Sequence, residues 1–525
     1  MSDVQPCGGL TRRQVVKLGA GAVGASFLPA LPARAGAAPR KPGWPGARFS
    51  GAAAHKVHPG QFMGMKQMRQ WYEELDSRGL RATGSREHED YVAALHDRLV
   101  SLGVSGVRAE GATFRRWTAS AAALHIVSGP GAGAVRVAGY IPYSGVLPTG
   151  SATGELVFVP EGSTVAPGSL QGKIALFEVP IPKYTYGTFA LFADRIYDPK
   201  HSLNLAAPYV RPWLAQGDAE AQEVAIQAAG AAAAIGVLPL DDSDAAGMYF
   251  PYDGVIHGIP GVYVARVEGA RLRGLAGTGT RVRVDLNATV KRVTTHNLLG
   301  FIPGASRELV VLHSHTDGPN GIEDNGPDTI GSIAQYLARI ERGSLRRSIM
   351  ILYTSGHFAG GVGAIEFCRR HAHDLIPRIA AAMTLEHVGA KQGQPQPDGT
   401  IRITDTPEFE AFFMPTSTGL QTASYDMLAS AGTDPGLVCR PLSPNAKLTQ
   451  AAWPGEGEYL YNFGGVADAN YITGPTYLLN AGMKTTDKVD YTQLRRKAMS
   501  FTDMALALSR APLSSLKVAP SQHTG

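Results

Sequence analysis

Apolar positions recur every three to four residues at Met65, Met68, Trp71, Tyr72 and Leu75, and again at Tyr91, Leu95, Leu99 and Leu102. This spacing predicts two amphipathic helices, the second stopping at Gly103. Between them Arg81-Ala82-Thr83-Gly84-Ser85 reads as a turn ending in a helix-capping serine. From about 130 to 290 the texture changes to short β-like runs, VRVAGYI, ELVFVP, KIALFEV and GVYVA, separated by Gly/Pro turns. One Ala-rich helix interrupts them, over 225–238, running through Gly230 into AAIGVL. After 291 the pattern alternates regularly: strand 309–312, a helix face at Ile330, Ile333, Ala334, Leu337 and Ile340, strand 348–353, helix 362–370 and strand 380–385. Strand–helix–strand spacing of this kind predicts an α/β fold with a mostly parallel central sheet flanked by helices.

The 525 residues exceed what one core needs, and 44% apolar with 18% charged residues is a globular composition. The expected organisation is a leader over 1–35, a Pro/Gly/Ala-rich linker over 36–60, a main α/β domain from 61–129 and 291–511, a small β-rich insert over 130–290, and a disordered tail over 512–525. The leader carries Arg12, Arg13, Lys17 and Arg34 against Asp3, so it holds much of the formal net charge of +5. Its basic start, mild apolar stretch and small-x-small end at Ala33-Arg34-Ala35 read as an export signal, and the Arg12-Arg13 pair resembles the twin-arginine type. The apolar run is too short to span a bilayer, and the expected location of the mature chain is periplasmic or extracellular. A nearly balanced body gives no electrostatic reason to expect nucleic acid or an anionic membrane as partner. Three cysteines exclude a disulfide scaffold and a multi-cysteine zinc module, although Cys368 and Cys439 remain a possible pair in an oxidising compartment. Oligomeric state has no signal in the sequence.

Polar residues gather where the predicted strands end, and in parallel sheets that is where ligands collect. The first strand runs into His313-Ser-His315-Thr-Asp317-Gly318, with Glu323-Asp324-Asn325-Gly326 in the following loop. The second ends at Thr354-Ser355-Gly356-His357 and the third at Leu385-Glu386-His387. Imidazoles and carboxylates from three neighbouring strand ends suit zinc or a similar divalent metal. A histidine directly after Glu386 should point to the opposite side if the strand continues through it, which makes His387 a packed or supporting residue.

The order RATGS, THNLLGFIPG at 295–304, HTDG, EDNG and TLEHVG resembles the co-catalytic zinc exopeptidases, which include secreted bacterial aminopeptidases, glutamate carboxypeptidase and the transferrin receptor. GKIALFEV, QAAGAAAAIGV and IPGVYV in the 130–290 insert are similar to that family's protease-associated domain. The resemblance implies His315 as a metal ligand, Asp317 as the catalytic-site acid orienting it from behind, Asp324 as a carboxylate bridging two metals, and Glu386 in place of an aspartate ligand. The family's Glu-Glu pair, general base and ligand, falls on Gly356 and His357; a histidine can replace a ligand, but a glycine accepts no proton. The family's last histidine ligand falls on Asn480, so the resemblance implies one or two zinc ions. Glu323 and Glu458 are the acids that by residue type would serve as a substitute base, and both read as surface acids.

His313-x-His315-x-Asp317 also resembles a metallo-β-lactamase motif, but Gly318 stands where that motif has histidine. No Gly-x-Ser-x-Gly elbow marks a serine hydrolase. The expectation is an exported metal-dependent hydrolase cleaving an amide bond in peptides or acylated amino acids, like an aminopeptidase or carboxypeptidase. The alternative is a non-catalytic binding protein on the same fold. The segment 391–460, with PEFEAFFMP exposed and a turn at Trp453-Pro454, would shape a pocket or pack as an insertion.

Overall fold

The strand at the middle of the molecule, Ser306–His315, is flanked in parallel by Arg347–Thr354 on one side and Ile379–Leu385 on the other, and Asp468–Thr473 continues the parallel run beyond Ile379–Leu385. Alternate residues of these strands face two different cores. Val310, Leu312, Ile349, Ile351, Ala381 and Met383 pack into one, and Leu309, Val311, Met350, Leu352 and Ala382 into the other. Burial on both faces is why these strands read as unbroken apolar runs. Helices Gly326–Leu337 and Tyr491–Arg510 cover the first face, and Val362–Arg370 and Gly457–Gly464 cover the second. The chain passes from Ser306–His315 to one neighbour and then to the other, which makes the carboxyl end of this central strand a topological switch point.

The computed structural model describes residues 49, 55–146, 150–341, 343–442 and 452–518. The leader over 1–35, most of the 36–60 linker and the end of the 512–525 tail lie outside the described residues. From Phe49 on, the described chain belongs to one compact unit. A long hairpin explains how the 130–290 segment is joined to the rest. Ser105–Ser128 and Arg281–Ile302 pair antiparallel along almost their whole length. The second of these strands meets Ser151–Val159 near its start and Arg347–Thr354 near its end, so a single 15-stranded sheet runs through both regions.

Several expectations change on contact with the structure. The 225–238 helix is two elements: helix Gln216–Ala228 stops, Gly230 turns at φ +88°, and strand Ala233–Val237 follows. PEFEAFFMP is not exposed; Glu410–Phe413 is a strand of the main sheet with all four residues buried. The 512–525 stretch begins with a helical turn, Leu513–Leu516, whose Leu516 is buried. Cys368 and Cys439 are both buried free thiols, not a disulfide. Among the described residues no helix is long and apolar enough to cross a membrane.

Candidate metal centre

Strand geometry delivers the site. His315 closes its strand, paired in register with Thr354, so the Ser355-Gly356-His357 turn begins directly beside it. Glu386 and His387 follow the last residue of Ile379–Leu385 and are no longer in the strand. His387 adopts φ +55°, a left-handed conformation. That turn swings its ring back to the side Glu386 occupies, which corrects the expectation of an opposite-facing His387. The RATGS turn lies against the same rim: Arg81 bridges to Gly318, Thr83 donates to Asp317 (2.6 Å), and the His88 ring pairs with Thr316.

Two overlapping donor groups result, His315/Glu386/His387 and His315/Glu323/His357; within each, the ligand atoms lie within 4.8 Å of one another, and every member is buried. The hydrogen bonds separate the two. His315 donates Nδ1–H to the Asp317 carbonyl (2.9 Å), and His387 donates Nδ1–H to the Thr473 carbonyl (2.5 Å). A carbonyl only accepts, so both rings present a bare Nε2 lone pair. Glu386 Oε1 accepts from the Glu456 backbone (2.7 Å) and the Asn470 amide (3.3 Å). What remains is His315 Nε2, His387 Nε2 and Glu386 Oε2, all buried and all without a hydrogen-bond partner. Buried polar atoms are otherwise almost always paired. Histidines fixed through one nitrogen with the other free are the usual partners of a metal ion, and a His₂Glu set with an open position is an established zinc arrangement. The donor chemistry therefore fits zinc.

His357 differs. Its Nδ1 meets Glu456 Oε2 at 2.7 Å, and its Nε2 lies 3.8 Å from Glu323 Oε1. Burial opposes its charge, but the hydrogen bond to Glu456 and the negative charges of Glu456, Glu323 and Glu386 win and raise it to about 10. His315 and His387 move the other way. Burial holds His315 well below the ordinary histidine range and takes His387 down to about 3, with the charge on His357 adding to both. The acids are pushed up by burial, Glu386 to about 7 and Glu323 well above its usual range. Glu323 is 2% exposed, not a surface acid, and its Oε2 is the fourth orphaned atom here.

The remaining expected residues have other partners. Both oxygens of Asp324, the expected bridging ligand, are taken by the buried Arg81 guanidinium at 2.5 and 2.8 Å, and Asp324 belongs to neither donor group. Asp317 is a positioning residue. Its carboxylate accepts the backbone N–H groups of Gly356, His357 and Phe358, and its carbonyl aims His315. The Asn480 amide nitrogen donates to the carbonyls of Asp244 and Ala246, while its Oδ1 is buried without a hydrogen-bond partner. Gly356 sits at φ +86° with Val362 Cγ1 2.3 Å from where a Cβ would stand, so no side chain fits at the family's general-base position. His313 has a threonine hydroxyl on each ring nitrogen, Thr384 and Thr354, which removes the His-x-His reading. Glu458 accepts from the Trp453 backbone and belongs to neither donor group.

Glu456 and His387 are the contributors the sequence did not reveal. The one local sign of Glu456 is its setting between glycines. A Cβ at Gly455 would lie 2.5 Å from the Asn470 side chain, and one at Gly457 2.2 Å from Asp468 Oδ2.

No protein-family model matches the sequence, and no curated protein does. Solved structures do. A Peptidase M28 precursor from Shewanella amazonensis superposes with TM-score 0.59 at 16% identity, covering 87% of this chain and 97% of that chain. A zinc aminopeptidase from Bacillus subtilis gives 0.58 at 14%, over 86% and 97%. An aminopeptidase from Aneurinibacillus sp. strain AM-1 gives 0.54 at 18%, over 87% and 95%. Over most of its length the chain thus has the α/β fold of the zinc aminopeptidases, the co-catalytic zinc exopeptidase fold that its motifs resemble.

Proposed function

We propose that the protein is a metal-dependent hydrolase of amide bonds in peptides or acylated amino acids, built on one zinc ion. The observation that carries this is the trio of orphaned buried atoms, His315 Nε2, Glu386 Oε2 and His387 Nε2, each on a side chain whose other polar atom is anchored. One ion is the count favoured by Asp324, since Arg81 neutralises it and takes both of its oxygens. When bound, the ion would supply Lewis acidity toward the scissile carbonyl and lower the pKa of a water.

The chain's own groups supply the rest. Glu323 stands 3.7–3.8 Å from ring nitrogens of His315, His357 and His387, placed to take a proton from an attacking water. It stands in for the carboxylate missing at Gly356. His357, kept charged by Glu456, presents an Nε2–H to the oxygen on which negative charge develops. The leader's twin-arginine resemblance supports export of the folded chain, and the 130–290 segment reads as a protease-associated insert.

Elemental analysis of protein purified without chelators or a histidine tag tests the proposal. One equivalent of zinc is expected, with hydrolysis of aminoacyl or N-acyl anilides lost on chelation and restored by zinc. A chain that takes up no metal when zinc is supplied overturns it.

A further inference from the structure

A second cavity, of about 430 Å³, lies away from the metal centre between the 186–207 stretch, the 406–410 stretch and the 432–435 turn. That volume is in the range of small-molecule sites. Phe409 is the one residue that lines both this cavity and the space beside Glu323, His357, Glu386 and His387, so the two are neighbours with separate walls. Charge in the walls cancels. Glu408 pairs with Arg211 at 2.6 Å, Glu410 with Lys497 at 3.1 Å and Asp434 with Lys200 at 3.3 Å. Lys200 is the one lysine or arginine among the described lining residues, and Asp434 already holds it. An ion entering here would lose water and find no unmatched opposite charge, a cost that a neutral ligand escapes.

Hydrogen-bonding capacity, by contrast, is left over. Thr433 is 5% exposed and Glu408 2%, yet Thr433 Oγ1 and Glu408 Oε2 have no hydrogen-bond partner. Buried polar atoms are rarely left so, and the hydroxyls of a ligand are one way to complete them. Nearer the opening, Asn204 Oδ1 accepts the Ala206 N–H (3.1 Å) and its Nδ2 hydrogens stay free, and the Gln493 amide bonds to nothing among the described residues. Tyr186 and Phe409 add an aromatic surface. Their rings meet edge to face, centroids 4.9 Å apart, and Gln392 Nε2 donates to the Tyr186 hydroxyl (3.1 Å), which fixes that ring.

Amides, a hydroxyl and a carboxylate oxygen around an aromatic surface, with no net charge, fit a ring that carries hydroxyls on its edge and C–H groups on its faces. Polarised C–H groups are drawn to the negative face of an aromatic ring. We infer that the cavity binds an uncharged, hydroxyl-rich ring, a neutral sugar of the pyranose type, with its hydroxyls on Thr433, Glu408 and Gln493 and a C–H face on Tyr186. The cavity is lined by no residue of the two metal-donor groups, so the inference depends neither on zinc nor on the hydrolase reading.

Titration of the metal-free full chain, followed by saturation-transfer NMR, tests it with glucose, galactose, mannose and N-acetylglucosamine at up to about 10 mM, enough to fill a site with a Kd of about 1 mM. At least one of these neutral sugars should bind, and its uronate and protonated amino-sugar counterparts should bind more weakly. Thr433→Val keeps the shape and removes an oxygen that bonds to nothing in the folded chain. It should hold or raise the urea midpoint while weakening the sugar about fivefold, the worth of one neutral hydrogen bond. Gln493→Ala, on the half-buried rim, should weaken it by a similar factor. Binding of none of the four sugars, equal or tighter binding of a charged counterpart, or affinity unchanged in both variants overturns the inference. Binding that appears only once zinc is added would place the sugar at the metal centre and overturns it too.

Discussion

At the residue scale, the site works by bringing unpaired buried atoms together, His315 Nε2, Glu323 Oε2, Glu386 Oε2 and His387 Nε2. His387 illustrates the point: one nitrogen is spent on the Thr473 carbonyl so that the other is free and correctly aimed. His387→Ala should therefore weaken zinc binding by about 100-fold or more while the chain stays folded, as measured by competition with a chromogenic chelator. Glu323→Gln should keep the zinc and lower turnover by about 10²–10⁴-fold, the usual worth of a positioned base; unchanged turnover would assign the proton transfer elsewhere. Asp324→Asn separates structure from ligation. It strips the partner from a fully buried Arg81 and should cost about 3–5 kcal/mol in denaturant unfolding, yet leave zinc at one equivalent. His315, His357 and Glu386 were legible because each sits where a predicted strand ends. His387 was not, because alternation along a strand says nothing once the strand has stopped at Leu385 and φ has turned positive. Glu456 was hidden for another reason: it reaches the site from 70 residues beyond Glu386, and only folding brings the two together.

Elements differ in how plainly they announce themselves, and burial decides it. The parallel strands around Ser306–His315 are covered on both faces and show as apolar runs, and helix Val362–Arg370 matches its periodicity at both ends. The Ser105–Ser128 strand, the longest in the described chain, gave no signal. Its residues are mostly exposed or half-buried, and stretches such as RAEGATFRR alternate too weakly to mark a face. Helix Gln216–Ala228 carries a cost of its own in Glu223, which is buried with neither oxygen hydrogen-bonded. Burial pushes that carboxyl up to about 8, helped by the nearby charges of Glu220 and Asp253. The folded chain then binds a proton that the unfolded chain releases near pH 4.5. Stability is full below that pH and falls as the pH climbs through about 8. Urea midpoints at pH 5 and pH 8.5 should differ less in Glu223→Gln than in the parent, with a gain at the higher pH of a few kcal/mol, up to about 5. A variant with the parent's pH slope would show that another group titrates there.

Across the whole molecule, the site depends on chain far from its own strands. The segment holding Tyr209, Arg211 and Trp213 lies some 260 residues before Gly474, yet three of its donors share that one carbonyl next to the loop that aims His387. Arg211 also pairs with Glu408 at 2.6 Å, both almost fully buried, tying the 130–290 region to the start of the Glu410–Phe413 strand. A buried pair of this kind adds little beyond what a matched apolar pair would give, but removing one member leaves the other uncompensated. Arg211→Met should thus lower stability by about 3–5 kcal/mol, and Arg211→Met with Glu408→Gln should recover most of that loss. The two variants separate fold from function, because neither restores the Arg211 donor to Gly474. If the clamp on that loop is what holds His387 in place, zinc affinity should stay reduced in the double variant even as its urea midpoint returns. Recovery of both together would mean that the loop is held by Tyr209 and Trp213 without Arg211, and that the ion pair serves stability alone.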